Sequence, residues 1–315
     1  MGRARMLLMG VALLTTFVFA VPVGAAEPTC NGLEATLVGT DAAETLVGTP
    51  EDDVIVGLEG DDIIKGKGGN DTICGGLGDD TLVGGLGDDV LLGGFGLDTA
   101  GYADATGPVD VDLAAGTGTG NGTDTLKSIE NAAGGPFNDT LDGNGGPNEL
   151  RGNGGKDHMT GAGGDDVLAG GGGNDKLDGG AGRDVIDGND GNDKLEGRGG
   201  NDTLRGGAGN DTISPGGGND GIKGGSGVDT VSYRTSGAGV TVNLLAGTAT
   251  GLGTDTLSGV ANVDGSNHAD ELTGNNADNR LVGWGGADLI EALGGADVLQ
   301  GGFSADVLVG GEGND

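Results

Sequence analysis

Residues 75–94 read GGLGDDTLVGGLGDDVLLGG. A nine-residue phrase is completed twice and begins a third time, with glycine first, aspartate sixth and an aliphatic residue eighth. Self-similarity at a short fixed period marks an architecture in which each unit buries its apolar residue only against its neighbours. In this frame the sixth position is Asp53, Asp62, Asp71, Asp80, Asp89 and Asp98. The frame lapses, then resumes at Asp139, Asn148, Asp157, Asp166, Asp175, Asp184, Asp193, Asp202, Asp211, Asp220 and Asp229. After a second lapse come Asp270, Asn279, Asp288, Asp297, Asp306 and Asp315. Two upstream units around Leu37 and Leu46 keep the aliphatic residue but have Ala35 and Glu44 at the sixth position, and read as degenerate capping units.

A larger period lies above the nonapeptide. A shift of 131 residues superposes 48–184 on 179–315 without a gap and brings the only two tyrosines, Tyr102 and Tyr233, together. VDVDLAAGTGTGNGTDTL at 109–126 then matches VTVNLLAGTATGLGTDTL at 240–257, with alternation that reads as half-buried strand. The lapses are therefore expected to be structured parts of a duplicated unit.

The composition excludes an ordinary layered core. Of 315 residues 77 are glycine and 3% are aromatic, and acids outnumber Lys plus Arg by 49 to 15. Such an excess repels nucleic acid and anionic lipid, resists compaction and attracts cations. Arg3 and Arg5 precede the apolar run MLLMGVALLTTFVFAV, and Gly24-Ala25-Ala26 follows it. That is the order of a cleaved secretory leader, and no later segment is apolar enough to span a bilayer. The mature chain is expected to be secreted and extracellular. There a disulfide between its only two cysteines, Cys30 and Cys74, is permitted.

Nine residues suit a short strand and a tight turn, so two units make one coil with strands on opposite faces. The eighth-position aliphatics point inward and form a thin continuous core. Stacking also places the sixth-position aspartates in ladders along both edges. Carboxylates roughly 5 Å apart repel by about 3 kcal/mol at an effective dielectric of 20. A hard divalent cation between loops would turn each aspartate into a ligand, with loop carbonyls filling the six to eight oxygen positions that suit calcium better than magnesium. Cation binding and folding then become one event.

GGLGDDTLV, GGAGNDTIS and GGAGRDVID resemble the glycine- and aspartate-rich nonapeptide of the RTX, or haemolysin-type calcium-binding, repeat family. The resemblance covers nearly all of the mature chain. It implies an all-β, right-handed parallel β-roll (a solenoid) with multiple Ca2+ ions between the loops of successive coils. Its metal ligands would be Asp53, Asp62, Asp71, Asp80, Asp89, Asp98, Asp139, Asp157, Asp166, Asp175, Asp184, Asp193, Asp202, Asp211, Asp220, Asp229, Asp270, Asp288, Asp297 and Asp306. Asn148 and Asn279 depart from the pattern and imply weaker sites; Ala35 offers no carboxylate. The organisation expected is a leader at 1–26, capping repeats at 27–47 and roll blocks at 48–98, 134–229 and 265–315, with irregular β insertions at 99–133 and 230–264. Family members usually carry the repeats behind a catalytic or pore-forming domain. Here the array fills the mature chain and stops in mid-repeat, which leaves open an accessory module of a larger exported protein.

Catalytic candidates are few. His158 and His268 do not recur under the 131-residue shift and read as solvated or strand-face residues. Lys65, Lys156, Arg183, Lys194, Arg205 and Arg280 read as scattered exposed bases, and Trp284 as a loop residue next to glycine. The tyrosines read as covers over the stack. The leading expectation is a non-enzymatic calcium-binding roll with a structural or adhesive role, its partners being calcium ions and a cell-surface or matrix polysaccharide or protein. The alternative is an enzyme acting on acidic polysaccharide through groups in the insertions, Asp124 and Asp255 among them.

Overall fold

The computed structural model describes residues 28–315. The expected leader, residues 1–26, and its expected cleavage site lie outside them. The described chain is entirely strand and turn: two parallel-rich sheets of sixteen strands each face one another, and a two-stranded sheet lies at either end. No helix among the described residues is long and apolar enough to cross a membrane.

The coil is two nonapeptides. Ile55 pairs with Ile73 and Ile73 with Leu91 in one sheet, while Ile64 pairs with Leu82 in the other, each a step of eighteen residues. Alternation along the strand Ile63–Gly68 exposes Ile63, Lys65 and Lys67 and buries Ile64, Gly66 and Gly68. The eighth-position side chains from Ile55 to Ile290 thus form one continuous internal stripe, most with no solvent exposure at all. Each aliphatic residue is sealed by the coil above and the coil below, so the core is long and one layer thick.

Both sheets run unbroken through the two lapses in the repeat. After the strand Thr99–Gly101 the chain crosses to the opposite face and overshoots. It runs along Asp110–Asp112, returns antiparallel along Thr117–Thr119, then turns again along Thr123–Lys127 to pair with Val90–Phe95. Asp110–Asp112 meanwhile pairs in parallel with Thr140–Asp142, so the excursion is built into the sheet. The segments expected to be irregular are ordered antiparallel detours. The second detour, Thr241–Asn243, Thr248–Thr250 and Thr254–Ser258, repeats this pairing but lies in the other sheet. The duplicated unit contains an odd number of face crossings, so its copy starts on the opposite face. Each detour adds two strands to one sheet, and the pair leaves both with sixteen.

The tyrosines do not cover the stack from outside. Tyr102 and Tyr233 are buried beneath the detours, and their hydroxyls donate to Asp124 Oδ2 at 3.0 Å and Asp255 Oδ2 at 2.9 Å. A buried phenol needs a partner, and a buried carboxylate needs a donor. Tyr102→Phe leaves one oxygen of Asp124 without a donor and should cost about 1–3 kcal/mol. The measurement is the denaturation midpoint in saturating calcium; a midpoint equal to wild type would remove the hydroxyl from the stability account.

At the N-terminal end the antiparallel pair Thr29–Cys30 and Leu33–Glu34 lies against the first coils, and Cys30 is joined to Cys74 by a disulfide. The bridge closes a separation of 44 residues and ties the hairpin to the third strand position of its sheet.

Candidate metal-binding loops

The sixth-position aspartates form two ladders, one along each edge of the roll. The backbone N–H of each donates to Oδ1 of the aspartate one coil further on: Asp53 to Asp71, Asp71 to Asp89, Asp62 to Asp80 and Asp80 to Asp98, at 2.8–2.9 Å. The same step links Asp139, Asp157, Asp175, Asp193, Asp211 and Asp229 on one edge. On the other it links Asn148, Asp166, Asp184, Asp202 and Asp220. Beyond the second detour Asp270 leads to Asp288 and Asp306, and Asn279 to Asp297 and Asp315. Glu44 occupies the same place, its N–H donating to Asp62 Oδ1 at 2.9 Å.

Asp124 and Asp255 belong to these ladders. Asp89 N–H donates to Asp124 Oδ1 at 3.0 Å and Asp220 N–H to Asp255 Oδ1 at 3.1 Å, across 35 residues instead of eighteen. They carry the ladder through the detours. Sequence spacing hid this, because the extra seventeen residues are absorbed by a strand that goes out and back. A second ladder was also missed: the fifth-position Asp or Asn accepts the N–H of its counterpart one coil on, as Asp52 does from Asn70, Asp61 from Asp79 and Asn174 from Asn192. The recurring DD and ND pairs were its signal.

One ladder bond uses only Oδ1. In sixteen aspartates, from Asp62 to Asp297, Oδ2 is buried and accepts no hydrogen bond. A buried unpaired carboxylate oxygen is costly. Burial therefore pushes the carboxyls of Asp62, Asp71, Asp98, Asp166, Asp193 and Asp220 up to about 6, and those of Asp89, Asp157 and Asp202 up to about 7. The ladder N–H opposes the shift, and neighbouring carboxylates add to it.

The loops around these oxygens are shaped by glycine and lined by carbonyls. A Cβ at the first-position Gly66 would lie 2.0 Å from Asp71 Oδ2 and 2.5 Å from the Gly84 carbonyl, so only glycine fits there. A Cβ at Gly76 would lie 2.0 Å from Leu58 O, and one at Gly78 would lie 2.3 Å from Gly60 O. Carbonyls of one loop thus point into the loop of the next coil. Among the described residues no three acidic, histidine or cysteine side chains converge as a ready-made metal cluster. A cation here would be shared between aspartate Oδ2 atoms and loop carbonyls, an all-oxygen donor set suited to a hard ion of flexible coordination.

The model of the RTX calcium-binding nonapeptide repeat matches overlapping segments that together span residues 38–100, 133–231 and 264–315. The chain belongs to this family. Solved structures similar to the chain include the following two. One is a hyperactive, Ca2+-dependent, beta-helical antifreeze protein from an Antarctic bacterium, at 18% identity over 86% of this chain and 81% of that one, TM-score 0.23. The other is the extracellular lipase LipA from Serratia marcescens, at 18% identity over 71% of this chain and 37% of that one, TM-score 0.16. No curated protein matches the chain. The family is one of calcium-binding repeats, and the sixth-position aspartates of these repeats carry the buried Oδ2 atoms that have no hydrogen-bond donor.

The remaining sequence candidates are dispersed. His158 and His268 are exposed, His158 Nε2 lying 3.2 Å from Lys176 Nζ. Trp284 falls within the strand Arg280–Gly285, at the second position of its repeat loop, and is half-buried with the Arg234 guanidinium stacked 3.6 Å from its ring centroid. Some bases that look scattered in sequence are gathered by the register. Lys194, Arg198 and Arg234 line a groove of about 440 Å³ with Glu196, Ser214 and Ser232. There Arg198 Nε also holds Asp178 at 2.8 Å.

Proposed function

We propose that the protein is a secreted, non-enzymatic β-roll that folds on several calcium ions held by its sixth-position aspartates and acts as a structural or adhesive element outside the cell. The observation that carries this reading is the file of buried aspartate oxygens without a hydrogen-bond donor along both edges. A fold that repeats so costly a feature needs a counter-charge, and millimolar extracellular calcium matches the affinity range of about 10⁻⁴–10⁻³ M typical of extracellular modules. The leader-like N-terminus and the Cys30–Cys74 disulfide support an extracellular setting.

Metal analysis of the mature chain equilibrated at millimolar calcium should return many ions per chain. A count near zero would refute the reading. For the adhesive role, the groove between Lys194, Arg198 and Arg234 gathers three bases on a chain of formal net charge −34; Lys194 and Arg198 pair with Glu196 and Asp178, so Arg234 is the base that would meet an acidic polysaccharide there. The enzymatic alternative finds Asp124 and Asp255 buried and fully occupied as ladder members, each bonded to a backbone N–H and a tyrosine hydroxyl.

A further inference from the structure

The sixth-position carboxylates fall into two classes, divided by the backbone at the second position of the same loop. Where the second residue is left-handed, its N–H turns away and the carboxylate oxygen is left alone. Leu58 (φ 90°), Gly76 (φ 128°), Arg198 (φ 69°) and Trp284 (φ 74°) precede Asp62, Asp80, Asp202 and Asp288 in this way. All sixteen orphaned aspartates have such a residue four positions upstream. Where the second residue is not left-handed, its N–H folds onto the side chain at the sixth position. Thr49 N donates to Asp53 Oδ2 at 2.6 Å, Gly135 N to Asp139 Oδ2 at 2.7 Å and Ser266 N to Asp270 Oδ2 at 2.6 Å. Asn144 and Asn275 do the same to Asn148 and Asn279, and Thr40 to Glu44.

We infer that calcium occupies only the loops with a left-handed second residue, and that the loops of Asp53, Asp139 and Asp270 are closed on themselves and take no ion. This rests on the calcium reading above and narrows it. An N–H aimed at the oxygen puts the positive end of a dipole where the cation would sit. It satisfies the carboxylate without metal, so binding there would have to break a short charge-assisted hydrogen bond. Thr49 and Ser266 strengthen the closure with their hydroxyls, at 2.9 Å from Asp53 Oδ2 and 2.7 Å from Asp270 Oδ1.

The left-handed backbone costs energy in itself. An L-residue there is strained relative to glycine, yet Leu58, Lys67, Ala162, Arg198, Trp284 and Leu293 all adopt it. Strain that persists in a repeating loop is repaid by something the loop holds. The closed loops occur in pairs at the N-terminal end and directly after each detour, and the last two pairs correspond under the 131-residue shift although Gly135 is matched by Ser266. Closure therefore follows position in the fold. It divides the metal into three separate files, Asp62–Asp98, Asp157–Asp229 and Asp288 onward, with two metal-free coil edges after each detour.

The test is a calcium count by native mass spectrometry, with equilibrium titration, on the full mature chain and two triple variants. One variant is Asp53→Asn, Asp139→Asn and Asp270→Asn; the other is Asp80→Asn, Asp175→Asn and Asp202→Asn. Asparagine keeps one side-chain carbonyl oxygen, so both variants retain an acceptor for the ladder bond. The first should keep the wild-type ion count and the second should lose about three ions. Equal losses from both, or no loss from either, would overturn the inference. A wild-type chain that binds no calcium at all would instead overturn the calcium reading on which it rests.

Discussion

Stripping calcium from the mature chain should abolish its β-structure, and returning calcium, but not magnesium, should restore it. The expected readout is far-ultraviolet circular dichroism passing cooperatively from coil to β between chelator and 10 mM calcium. The reason is the distribution of favourable contacts. Each coil orders eighteen residues, many of them glycine, around two buried aliphatic side chains such as Ile64 and Ile73. Conformational entropy weighs heavily against so thin a core. The ladders add hydrogen bonds, yet they bring carboxylates into file with one oxygen of each unpaired. An ion bound only by the folded chain stabilises it by RT ln(1 + [L]/Kd), or about 1.4–2.7 kcal/mol per site at 10–100 times Kd. Over the sixteen orphaned oxygens this reaches the order of tens of kcal/mol if each serves one ion. Magnesium demands tighter octahedral geometry and sheds water reluctantly, so backbone carbonyls at flexible distances serve it poorly. A chain that keeps its β spectrum in chelator would show that packing, the ladders and the disulfide suffice, and the electrostatic account would be wrong.

Acid should partly replace calcium. In the metal-free chain, lowering the pH from 7.5 to 5 is expected to increase β-structure. The sign follows from burial: the folded carboxyls of Asp62, Asp71 and Asp166 lie at about 6 and those of Asp89, Asp157 and Asp202 at about 7, above their ordinary 3.8. Between those values the folded state holds more protons than the unfolded one, so stability falls as pH rises through 6–7 and is regained as pH falls. Below about 4 the unfolded chain protonates as well and the gain levels off. In the presence of calcium the trend reverses, because protons compete for the same oxygens, and the calcium midpoint should move to higher concentration on acidification. Identical spectra of the metal-free chain at pH 7.5 and pH 5 would show that these carboxyls are not the source of its instability.

Much of this protein could be read from spacing alone. A nine-residue period with one aliphatic residue determines a two-strand coil, because strand side chains alternate and only one residue per unit can reach the axis. The sixth-position aspartate follows from the same count, as does the placing of acids in ladders. The only possible partners of a disulfide, Cys30 and Cys74, were legible too; that the bridge forms was decided by the fold. Apart from the cysteine pair, which is 44 residues apart, these are local properties, set by residues within one or two units of each other.

What the tertiary structure decided depends on hydrogen bonds between coils. No spacing rule shows that Asp124 and Asp255 continue the ladders across 35 residues, because a chain that runs out and back hides its net advance. The opposite faces of the two detours also escape the sequence, where the copies look equivalent; only counting face crossings in the folded chain separates them. The backbone at the second loop position was half-legible. Pro50 and Pro136 push Thr49 and Gly135 toward extended backbone, but Ser266 is closed with no proline beside it, and Arg198 and Trp284 are left-handed against their own preference. Whether an aspartate keeps an oxygen free is settled by the direction of one N–H, and that direction is fixed by the coils stacked on either side.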